Sequence, residues 1–215
     1  MMVFQKIQQC LFYTLLIYFL PMIGCIDRFF TWPVGISIAM GWFTVLSQPY
    51  MPLFGKSDKQ TDAGSAFFLT LAYMACMITP LVWYGYFFNA DLYFFHPYTI
   101  TGIGLIILGL SFRYYSIRVL GAYFTSEVEI KDDHQVIQHG PYRILRHPSY
   151  LGALISVIGN ALVYQNLLVT IPIAVCFMPA YAYRIHQEEK VLTQSFGQAY
   201  TDYKQKTWKL IPYVF

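Results

Sequence analysis

The fold is decided by residues 149–184, which read SYLGALISVIGNALVYQNLLVTIPIAVCFMPAYAYR. The stretch contains no acidic residue, and its one cation is the final Arg184. A helix that crosses a membrane needs about 20 predominantly apolar residues. Because the polar pair Gln165-Asn166 divides the stretch, we expect two short spans, 149–164 and 166–184, joined as a tight helical hairpin.

Four more apolar runs precede this hairpin, so the sequence predicts about six transmembrane helices. The runs cover 8–26, 33–51, 65–88 and 97–119. The first run also has the layout of a signal peptide, since Lys6 precedes it. Bulky Met22 and Ile23 occupy the region of a cleavage site, and a second apolar run follows at once. We therefore interpret the first run as an uncleaved span.

The composition excludes an ordinary soluble protein. Of the 215 residues, 57% are hydrophobic and 12% are charged, whereas soluble domains carry about 25% charged residues. A soluble chain of this size could not cover so much apolar surface with a polar shell. The net charge of +3 is also too small for a surface that follows nucleic-acid phosphates. We expect an all-α integral membrane protein that forms a single membrane domain over 1–215 and binds no nucleic acid.

The positive charges predict which ends of the spans lie together. With six spans, 13 of the 14 Lys and Arg residues fall on the side that holds both termini, and Arg28 alone falls on the other side. The 13 residues are Lys6, Lys56, Lys59, Arg113, Arg118, Lys131, Arg143, Arg146, Arg184, Lys190, Lys204, Lys206 and Lys209. Because Lys and Arg are enriched in cytoplasmic loops, we expect both termini and the polar loops 52–64 and 120–148 to be cytoplasmic.

A group of aromatic and basic side chains precedes the fifth span. Residues 134–152 read HQVIQHGPYRILRHPSYLG. Pro148 disfavours the helical region for His147 and suits the first position of the following helix. The unpaired N–H groups of such a helix start favour an anion, for instance the carboxylate of a ligand. With Tyr142, Tyr150 and a second histidine nearby, the segment could bind a flat, partly cationic ligand. Alternatively, these side chains only anchor the protein at the headgroup level.

A second polar cluster follows the sixth span. Arg184 and Glu188 are four residues apart and therefore share one helix face. The same face continues as an apolar stripe, which consists of Leu192, Phe196, Tyr200 and Tyr203. We expect Glu188 to point towards the protein, where a carboxylate needs a partner or a ligand, and Glu189 and Lys190 to belong to a solvated face. A simple helix ion pair between Arg184 and Glu188 is the alternative.

Other features indicate packing rather than chemistry. Gly102-Ile103-Gly104 within the fourth span is typical of close contact between membrane helices. No metal site is expected, because the histidines are spread over both sides and no cysteine accompanies them. The cysteines lie far apart and are expected to be small buried hydrophobes. They are Cys10, Cys25, Cys76 and Cys176.

Several motifs follow one another across the C-terminal half of the chain. They are His134–Ile137, Gly140-x-Tyr142, Arg146-His147-Pro148-Ser149-Tyr150-x-Gly152, Arg184-x-x-x-Glu188-Glu189, Phe196-Gly197-x-x-Tyr200-x-x-Tyr203 and Pro212. In order and spacing they resemble the isoprenylcysteine carboxyl methyltransferase family, a group of membrane methyltransferases to which the phospholipid methyltransferases are related. The resemblance implies a methyltransferase core over 96–215, with its catalytic region facing the cytoplasm, behind N-terminal spans over 1–95.

The resemblance also implies site residues. The methyl donor would be S-adenosyl-L-methionine, bound in a cytoplasm-facing pocket above the membrane helices. Its implied contacts are His134, Gln135, Val136, Ile137, Tyr142, His147, Pro148, Ser149, Tyr150 and Glu188. Arg184 would bind the substrate, so Arg184 and Glu188 are the candidate catalytic residues. Glu127 stands where the family carries a glutamine, and its negative charge would lie near a cationic sulfonium.

The function that the resemblance implies is methyl transfer to a lipophilic small molecule or lipidated acceptor, through the carboxylate of an isoprenylcysteine-like substrate. A carboxylate is ionised at neutral pH and needs no general base, and Arg184 could hold it by a two-pronged contact. We expect contact with membrane lipid but no obligate protein partner. The protein would lie in the inner membrane of a bacterium or the endoplasmic reticulum of a eukaryote.

Three alternatives stay open at this point. A phospholipid N-methyltransferase would bind its donor through Gly102, Gly104 and the Glu188-Glu189 pair, although Arg184 is poorly placed beside an amine headgroup. An NADPH-dependent sterol-type reductase is more distant, because such enzymes carry an aspartate where Ala153 stands here. A non-catalytic membrane protein that retains the pocket is the third alternative.

Overall fold

The computed structural model describes residues 2–49, 64–88, 92–124 and 135–212. Its α-helices are α1 (Met2–Tyr13), α2 (Ile26–Phe29), α3 (Trp32–Ser47), α4 (Ser65–Val82), α5 (Pro97–Leu120), α6 (Pro148–Val163), α7 (Leu167–Phe196) and α8 (Gln198–Gln205). The π-helical Thr14–Phe19 and the 3-10 helix Leu20–Cys25 connect α1 to α2, and the π-helical Trp83–Phe87 prolongs α4. Within these ranges no strand forms, and Leu145 and Trp208 make an isolated bridge. The all-α prediction is confirmed.

Four helical segments are long and apolar enough to cross a membrane. They are Val3–Phe29, Ser65–Phe87, Pro97–Tyr123 and Leu167–Phe196. The other two predicted spans, α3 and α6, are apolar helices of 16 residues each. At 1.5 Å per residue such a helix is about 24 Å long, which is shorter than the roughly 30 Å of a hydrocarbon core. The chain is an integral membrane protein, with an apolar helix at each of the six predicted places and full spanning length at four.

The predicted hairpin between α6 and α7 is present. Gln165 adopts the left-handed conformation, with φ of 56°. The Asn166 side chain accepts a hydrogen bond of 2.9 Å from the Leu168 N–H at the start of α7. The Gln165 amide also donates to the Tyr93 carbonyl and to the Thr99 hydroxyl, at 2.6 and 2.8 Å. These bonds fix the turn against the start of α5.

Glycines bring α5 and α6 into backbone contact. A Cβ on Gly102 would lie 2.6 Å from the Gly159 carbonyl oxygen, and one on Gly109 would lie 2.5 Å from the Gly152 carbonyl oxygen. The packing interpretation of Gly102 is therefore correct, whereas a Cβ on Gly104 would meet nothing within 4 Å. This contact fixes the position of the N-terminal end of α6, where the candidate site begins.

We expect Gly102→Ala to lower the melting temperature of the detergent-solubilised protein, because the added methyl group would overlap the backbone of α6. Overpacking of this kind costs about 1–3 kcal/mol. Gly104→Ala is the matched control, since it makes the same change two residues away in open space. Alanine favours a helix by up to about 1 kcal/mol over glycine, so the control should be neutral or stabilising. Equal melting temperatures for the two variants would contradict the packing.

Polar contacts place the cations at two ends of the helix bundle. Lys6 donates to the Gln48 carbonyl at 2.6 Å, and Arg113 donates to the Gln48 side chain at 3.0 Å. We call the end that holds these three residues the basic face. Arg28 lies at the other end of α3 and donates to the Tyr84 carbonyl at 2.6 Å. In the part of the chain that the structure describes, Arg28 is thus separated from the basic face, as the charge pattern predicted.

Some residues of that charge pattern fall outside the described ranges. They are Lys56 and Lys59, in the predicted connector 52–64, and Lys131. The cysteine prediction agrees with the structure where it can be compared: Cys10 and Cys76 are buried, and Cys25 is half-buried. The side chain of Cys176 is not among those described.

The apolar stripe that follows Glu188 does not lie on one continuous helix. α7 ends at Phe196, because Gly197 adopts φ of 54°, and α8 is a separate helix. Tyr200 and Tyr203 on α8 are nevertheless buried. The Tyr203 hydroxyl donates to the Tyr142 carbonyl at 2.7 Å, so α8 packs against the segment that leads into α6.

Candidate active site

The start of α6 is where the sequence predicts it, and the end of the chain holds it in place. His147 directly precedes the helix, and Pro148 is its first residue. The Arg146 N–H donates to the Trp208 carbonyl at 2.8 Å, and the His147 N–H donates to the Lys209 carbonyl at 3.1 Å. These backbone bonds fix the position of His147 relative to the helix that follows it.

Four predicted site residues form one buried cluster at this helix start. The Tyr150 hydroxyl donates to Oε1 of Glu188 at 2.5 Å. Arg184 Nε lies 3.0 Å from the same carboxylate oxygen and 3.2 Å from the Tyr150 hydroxyl. His147 Nδ1 lies 3.3 Å from Oε2 of Glu188. The two polar clusters of the sequence, before α6 and at the end of the sixth span, are therefore one site, which we call the Glu188 cluster.

Arg184 and Glu188 are charged side chains that lie largely inside the protein, where a charge without a partner is costly. The Arg184 side chain is 2% exposed, and that of Glu188 is 19% exposed. A buried ion pair is maintained only when further hydrogen bonds satisfy its remaining polar atoms. Arg184 has such a bond, since Nη1 donates to the Ser65 hydroxyl at 3.1 Å. The pair between Arg184 and Glu188 is thus an interior contact and not the exposed helix pair of the alternative interpretation.

His147 lies between two carboxylates. Burial by itself lowers the pKa of the imidazole, but the hydrogen bonds and negative charges of Glu188 and Glu189 outweigh burial and raise that pKa above its ordinary value. Nε2 of His147 is 3.4 Å from Oε1 of Glu189. This nitrogen lacks a well-aligned hydrogen bond within the described residues, so its attraction to Glu189 is mainly between charges. The site favours the imidazolium form of His147.

The prediction that Glu189 belongs to a solvated face is wrong. Its side chain is 12% exposed, and Oε1 accepts a hydrogen bond of 2.6 Å from Arg146 Nε. Arg146 also donates from Nη1 to the Lys204 carbonyl at 3.0 Å. The segment before α6 and the end of α8 therefore cover this face of α7, which the helical pattern of α7 alone does not show. Lys190 is exposed, as predicted.

Arg113 adjoins the site, although the sequence analysis counted it only among the cations of the basic face. Its Nη1 donates to the Ser149 carbonyl in the first turn of α6, at 3.1 Å. Its Nε is buried and has no hydrogen-bond partner in the described part of the chain. The available signal was a cation inside the apolar run 97–119, since ionisable residues within membrane helices are rare and usually functional.

Three further predicted donor contacts lie in or just before the first turn of α6. Pro148 and Ser149 are buried in the first turn of α6. Tyr142 is buried in the short 3-10 helix Gly140–Arg143. The second histidine of this stretch, His139, is exposed. The structure thus places all three of these predicted contacts, Tyr142, Pro148 and Ser149, inside the protein next to the start of α6. His139 was not predicted to contact the donor.

The segment before that 3-10 helix is extended. It contains Gln135, which is exposed, and Val136 and Ile137, which are half-buried. Their predicted contact with the donor stays a prediction. His134 and Glu127 lie outside the described residues. Within those residues, no group of three or more histidine, cysteine or acidic side chains is arranged to hold a metal ion.

A protein-family model matches the segment of the chain that contains this site. The model described as "Isoprenylcysteine carboxyl methyltransferase (ICMT) family" matches residues 102–194. The matched range contains the Glu188 cluster and Arg113.

Named relatives match somewhat more than half of the chain. A probable protein-S-isoprenylcysteine O-methyltransferase from Oryza sativa subsp. indica is 34% identical over 124 residues, which are 57% of this chain and 64% of the rice protein. Protein-S-isoprenylcysteine O-methyltransferase B of Arabidopsis thaliana is 36% identical over 115 residues, or 53% of this chain and 58% of the relative. The Saccharomyces cerevisiae protein-S-isoprenylcysteine O-methyltransferase is 34% identical over 118 residues, which are 54% of this chain and 49% of the yeast protein. The chain thus spans less than two thirds of the length of these relatives.

A solved structure shares the fold. It is described as the eukaryotic intramembrane Ras methyltransferase ICMT (isoprenylcysteine carboxyl methyltransferase) without a monobody. The match has a TM-score of 0.53 and 23% sequence identity, and it covers 99% of this chain and 95% of that chain. Residues 102–194 of this chain are thus similar to the isoprenylcysteine carboxyl methyltransferase family, and the named relatives carry the corresponding methyltransferase names.

Proposed function

We propose that the protein is a membrane methyltransferase that transfers a methyl group from S-adenosyl-L-methionine to the carboxylate of a lipophilic, isoprenylcysteine-like acceptor. The observation that supports this function best is the buried Glu188 cluster, which forms within the segment that matches the family model. It places an anion, Glu188, and a cation, Arg184, side by side in one site. A cationic methyl donor and an anionic acceptor need this pair of charges.

The chemistry of the Glu188 cluster fits the donor. S-adenosyl-L-methionine carries a cationic sulfonium, an ammonium group and a flat adenine ring, and when bound it supplies a methyl group that a nucleophile takes by in-line displacement. The carboxylate of Glu188 would attract the cationic part. The rings of His147 and Tyr150 are 5.7 Å apart between centroids and 8° from parallel. They offer flat surfaces for the adenine ring, and the face of Tyr150 can also attract a cationic group. The other residues that we propose to line the donor site are His134, Gln135, Val136, Ile137, Tyr142, Pro148 and Ser149.

Arg184 and Arg113 fit the acceptor. A carboxylate is already ionised at neutral pH, so no side chain has to remove a proton from it. The buried guanidinium of Arg184 and the unpartnered Nε of Arg113 would attract the carboxylate and orient one oxygen towards the donor. Their attraction is stronger in this water-poor interior than it would be in solvent. Orientation of the two reacting groups supplies much of the rate increase in a displacement of this kind.

We infer that the basic face, the active site and both termini lie in the cytoplasm. The inference rests on the positive-inside rule and on the clustering of the described cations at one end of the helices. The donor would reach the site from this side, and the lipophilic part of the acceptor would enter between helices from the bilayer. In this arrangement residues 1–95 provide N-terminal spans and residues 96–215 provide the methyltransferase core of a single membrane domain.

The rival functions receive less support from the geometry. A phospholipid N-methyltransferase that binds its donor through Gly102 would need that glycine to be accessible, but the backbone of α6 covers it. A buried arginine beside the acceptor site also disfavours an amine as the reacting group. No observation in the described residues favours the NADPH-dependent reductase.

Binding measurements on the detergent-purified protein test the proposal. We expect calorimetry to show binding of S-adenosyl-L-methionine and none of NADPH. We further expect the protein to convert N-acetyl-S-farnesylcysteine into a base-labile methyl ester, and not to methylate phosphatidylethanolamine. Binding of NADPH alone would support the reductase, and methylation of the lipid amine alone would support the phospholipid N-methyltransferase. Either result would overturn the proposed function.

A further inference from the structure

A cavity lined by charged and polar residue types lies beside the Glu188 cluster but is separate from it. It has a volume of about 330 Å³, opens to solvent, and is lined by His186, Glu189, Lys190, Thr193, Gln194 and Lys204. Five of these residues come from α7, and Lys204 comes from α8. The reversal at Gly197 brings the two helices together and so creates the concave surface. Its volume is at the lower end of the range for small-molecule sites, which is large enough for a phosphate group and part of the molecule that bears it.

The charge in this cavity is positive. Its single carboxylate, Glu189, is already neutralised by Arg146 from outside the cavity, at 2.6 Å. In the described residues, neither Lys190 nor Lys204 forms an ion pair. Lys204 is half-buried all the same, with Nζ 3.3 Å from the Thr193 hydroxyl. Lys204 Nζ also lies 5.8 Å from the centroid of the Tyr200 ring. Two ammonium groups from different helices, neither with a carboxylate partner in the described residues, therefore line one cavity next to a hydroxyl and an imidazole.

The depth of the cavity along α7 corresponds to the headgroup layer of a bilayer. α7 starts at Leu167, at the end of the protein opposite the basic face. At 1.5 Å per residue, His186 lies about 30 Å along the helix, which equals the thickness of a hydrocarbon core. Lys190 and Thr193 lie one to two turns further on. With Leu167 placed at the far boundary of the hydrocarbon core, the cavity begins at the depth of the lipid phosphates.

We propose that this cavity binds the phosphate of an anionic membrane lipid. Lys190 and Lys204 would contact the phosphate oxygens, and His186 would donate a hydrogen bond to one of them. The Thr193 hydroxyl, which donates to the Glu189 carbonyl at 2.6 Å, would position Lys204. The leaflet that the positive-inside rule assigns to this face is the one that carries anionic lipids in cells, and a basic residue near such a surface contributes about 1 kcal/mol to lipid attraction. The site is distinct from the donor and acceptor sites, and its existence does not depend on the proposed methyl transfer.

The test uses the full chain in nanodiscs of phosphatidylcholine with or without phosphatidylglycerol. Native mass spectrometry counts retained lipids, and the melting temperature reports on their effect. We expect preferential retention of phosphatidylglycerol and a higher melting temperature in its presence. Lys204→Gln and Lys190→Gln should each weaken this preference about fivefold. Lys206→Gln is the matched control, because Lys206 is exposed two residues further along and does not line the cavity; it should keep the preference.

Each alternative outcome is informative. If Lys204→Gln and Lys206→Gln weaken the preference for phosphatidylglycerol equally, the lipid is attracted to the basic surface in general. That result would overturn the proposed site. A second outcome is that the protein shows no preference for phosphatidylglycerol but is stabilised in detergent by inorganic phosphate. That outcome would overturn the lipid proposal and indicate that the ligand is a soluble phosphate compound. Melting temperatures in pure phosphatidylcholine identify any variant that fails to fold, in which case Lys190→Arg and Lys204→Arg, which keep the charge, should retain the preference. Competition between phosphatidylglycerol and S-adenosyl-L-methionine would also overturn the proposal, since the cavity would then be part of the donor site.

Discussion

Replacing Arg184 by methionine is expected to lower kcat/KM for a carboxylate acceptor by about 10²–10³-fold. Removal of one member of a buried ion pair costs about 3–5 kcal/mol, and in the proposed mechanism the same guanidinium attracts the acceptor carboxylate. Methionine keeps much of the apolar length of arginine, so the loss would reflect charge and hydrogen bonding rather than a cavity. The measurement is the initial rate of methyl-ester formation on N-acetyl-S-farnesylcysteine.

Arg184→Lys is the control for this variant. It keeps a positive charge but loses the planar fork that can hold a carboxylate by two parallel bonds, so we expect an intermediate loss of about tenfold. Calorimetry on Arg184→Met should show that donor affinity changes by less than the rate does. If donor affinity instead falls as far as the rate, Arg184 only supports Glu188, and its assignment to the acceptor is wrong.

Glu188→Gln is expected to weaken binding of S-adenosyl-L-methionine by about 10–100-fold. Hydrogen bonds to charged groups contribute about 1.5–3 kcal/mol, and the neutral amide would no longer attract the cationic part of the donor. The same change removes the charged carboxylate that contacts the guanidinium of Arg184, a side chain that is 2% exposed. We therefore also expect a lower melting temperature in the absence of ligand. Calorimetry at a temperature well below that transition separates the loss of binding from unfolding.

The neighbouring glutamate provides the matched control. Glu189→Gln removes the same charge one residue away, where the carboxylate is bound to Arg146 at 2.6 Å instead of to Arg184 and Tyr150. We expect a loss of stability but little change in donor affinity. Equal losses of donor affinity for the two variants would indicate that both glutamates contact the donor. That is the arrangement of the phospholipid N-methyltransferase alternative, and it would weaken the present assignment.

Much of the site could be predicted from the sequence because its residue types obey local rules. Pro148 restricts the backbone of His147 and starts a helix, and the spacing of Arg184 and Glu188 puts them on one helix face. These statements need only covalent geometry and helix periodicity. The contact between the start of α6 and the Arg184–Glu188 pair on α7 was not predictable from such local rules, because Tyr150 and Glu188 are 38 residues apart. Only the family motifs indicated that they form one site.

The pairing of Glu189 and the place of Arg113 beside the site were not predicted, and the two cases have one physical cause. Glu189 looked solvated because the pattern of α7 shows which side is apolar, but not which segment covers the other side. Arg146 and the end of α8 cover it, and they do so because the chain reverses at Gly197. Arg113 was missed for the same reason: a cation near a helix end looks like an interfacial residue until its Nε is found buried without a partner.

Sequence patterns were enough to predict the membrane class, the all-α architecture, the break at Gln165-Asn166 and the separation of Arg28 from Lys6 and Arg113. These follow from hydropathy, turn chemistry and charge, which are properties of each segment alone. The tertiary structure decided that the Glu188 cluster is buried, that Glu189 is paired and that two lysines converge on one cavity. Those facts depend on which helix faces pack together, and the free energy of a charge is set by what surrounds it in space and not by its neighbours along the chain.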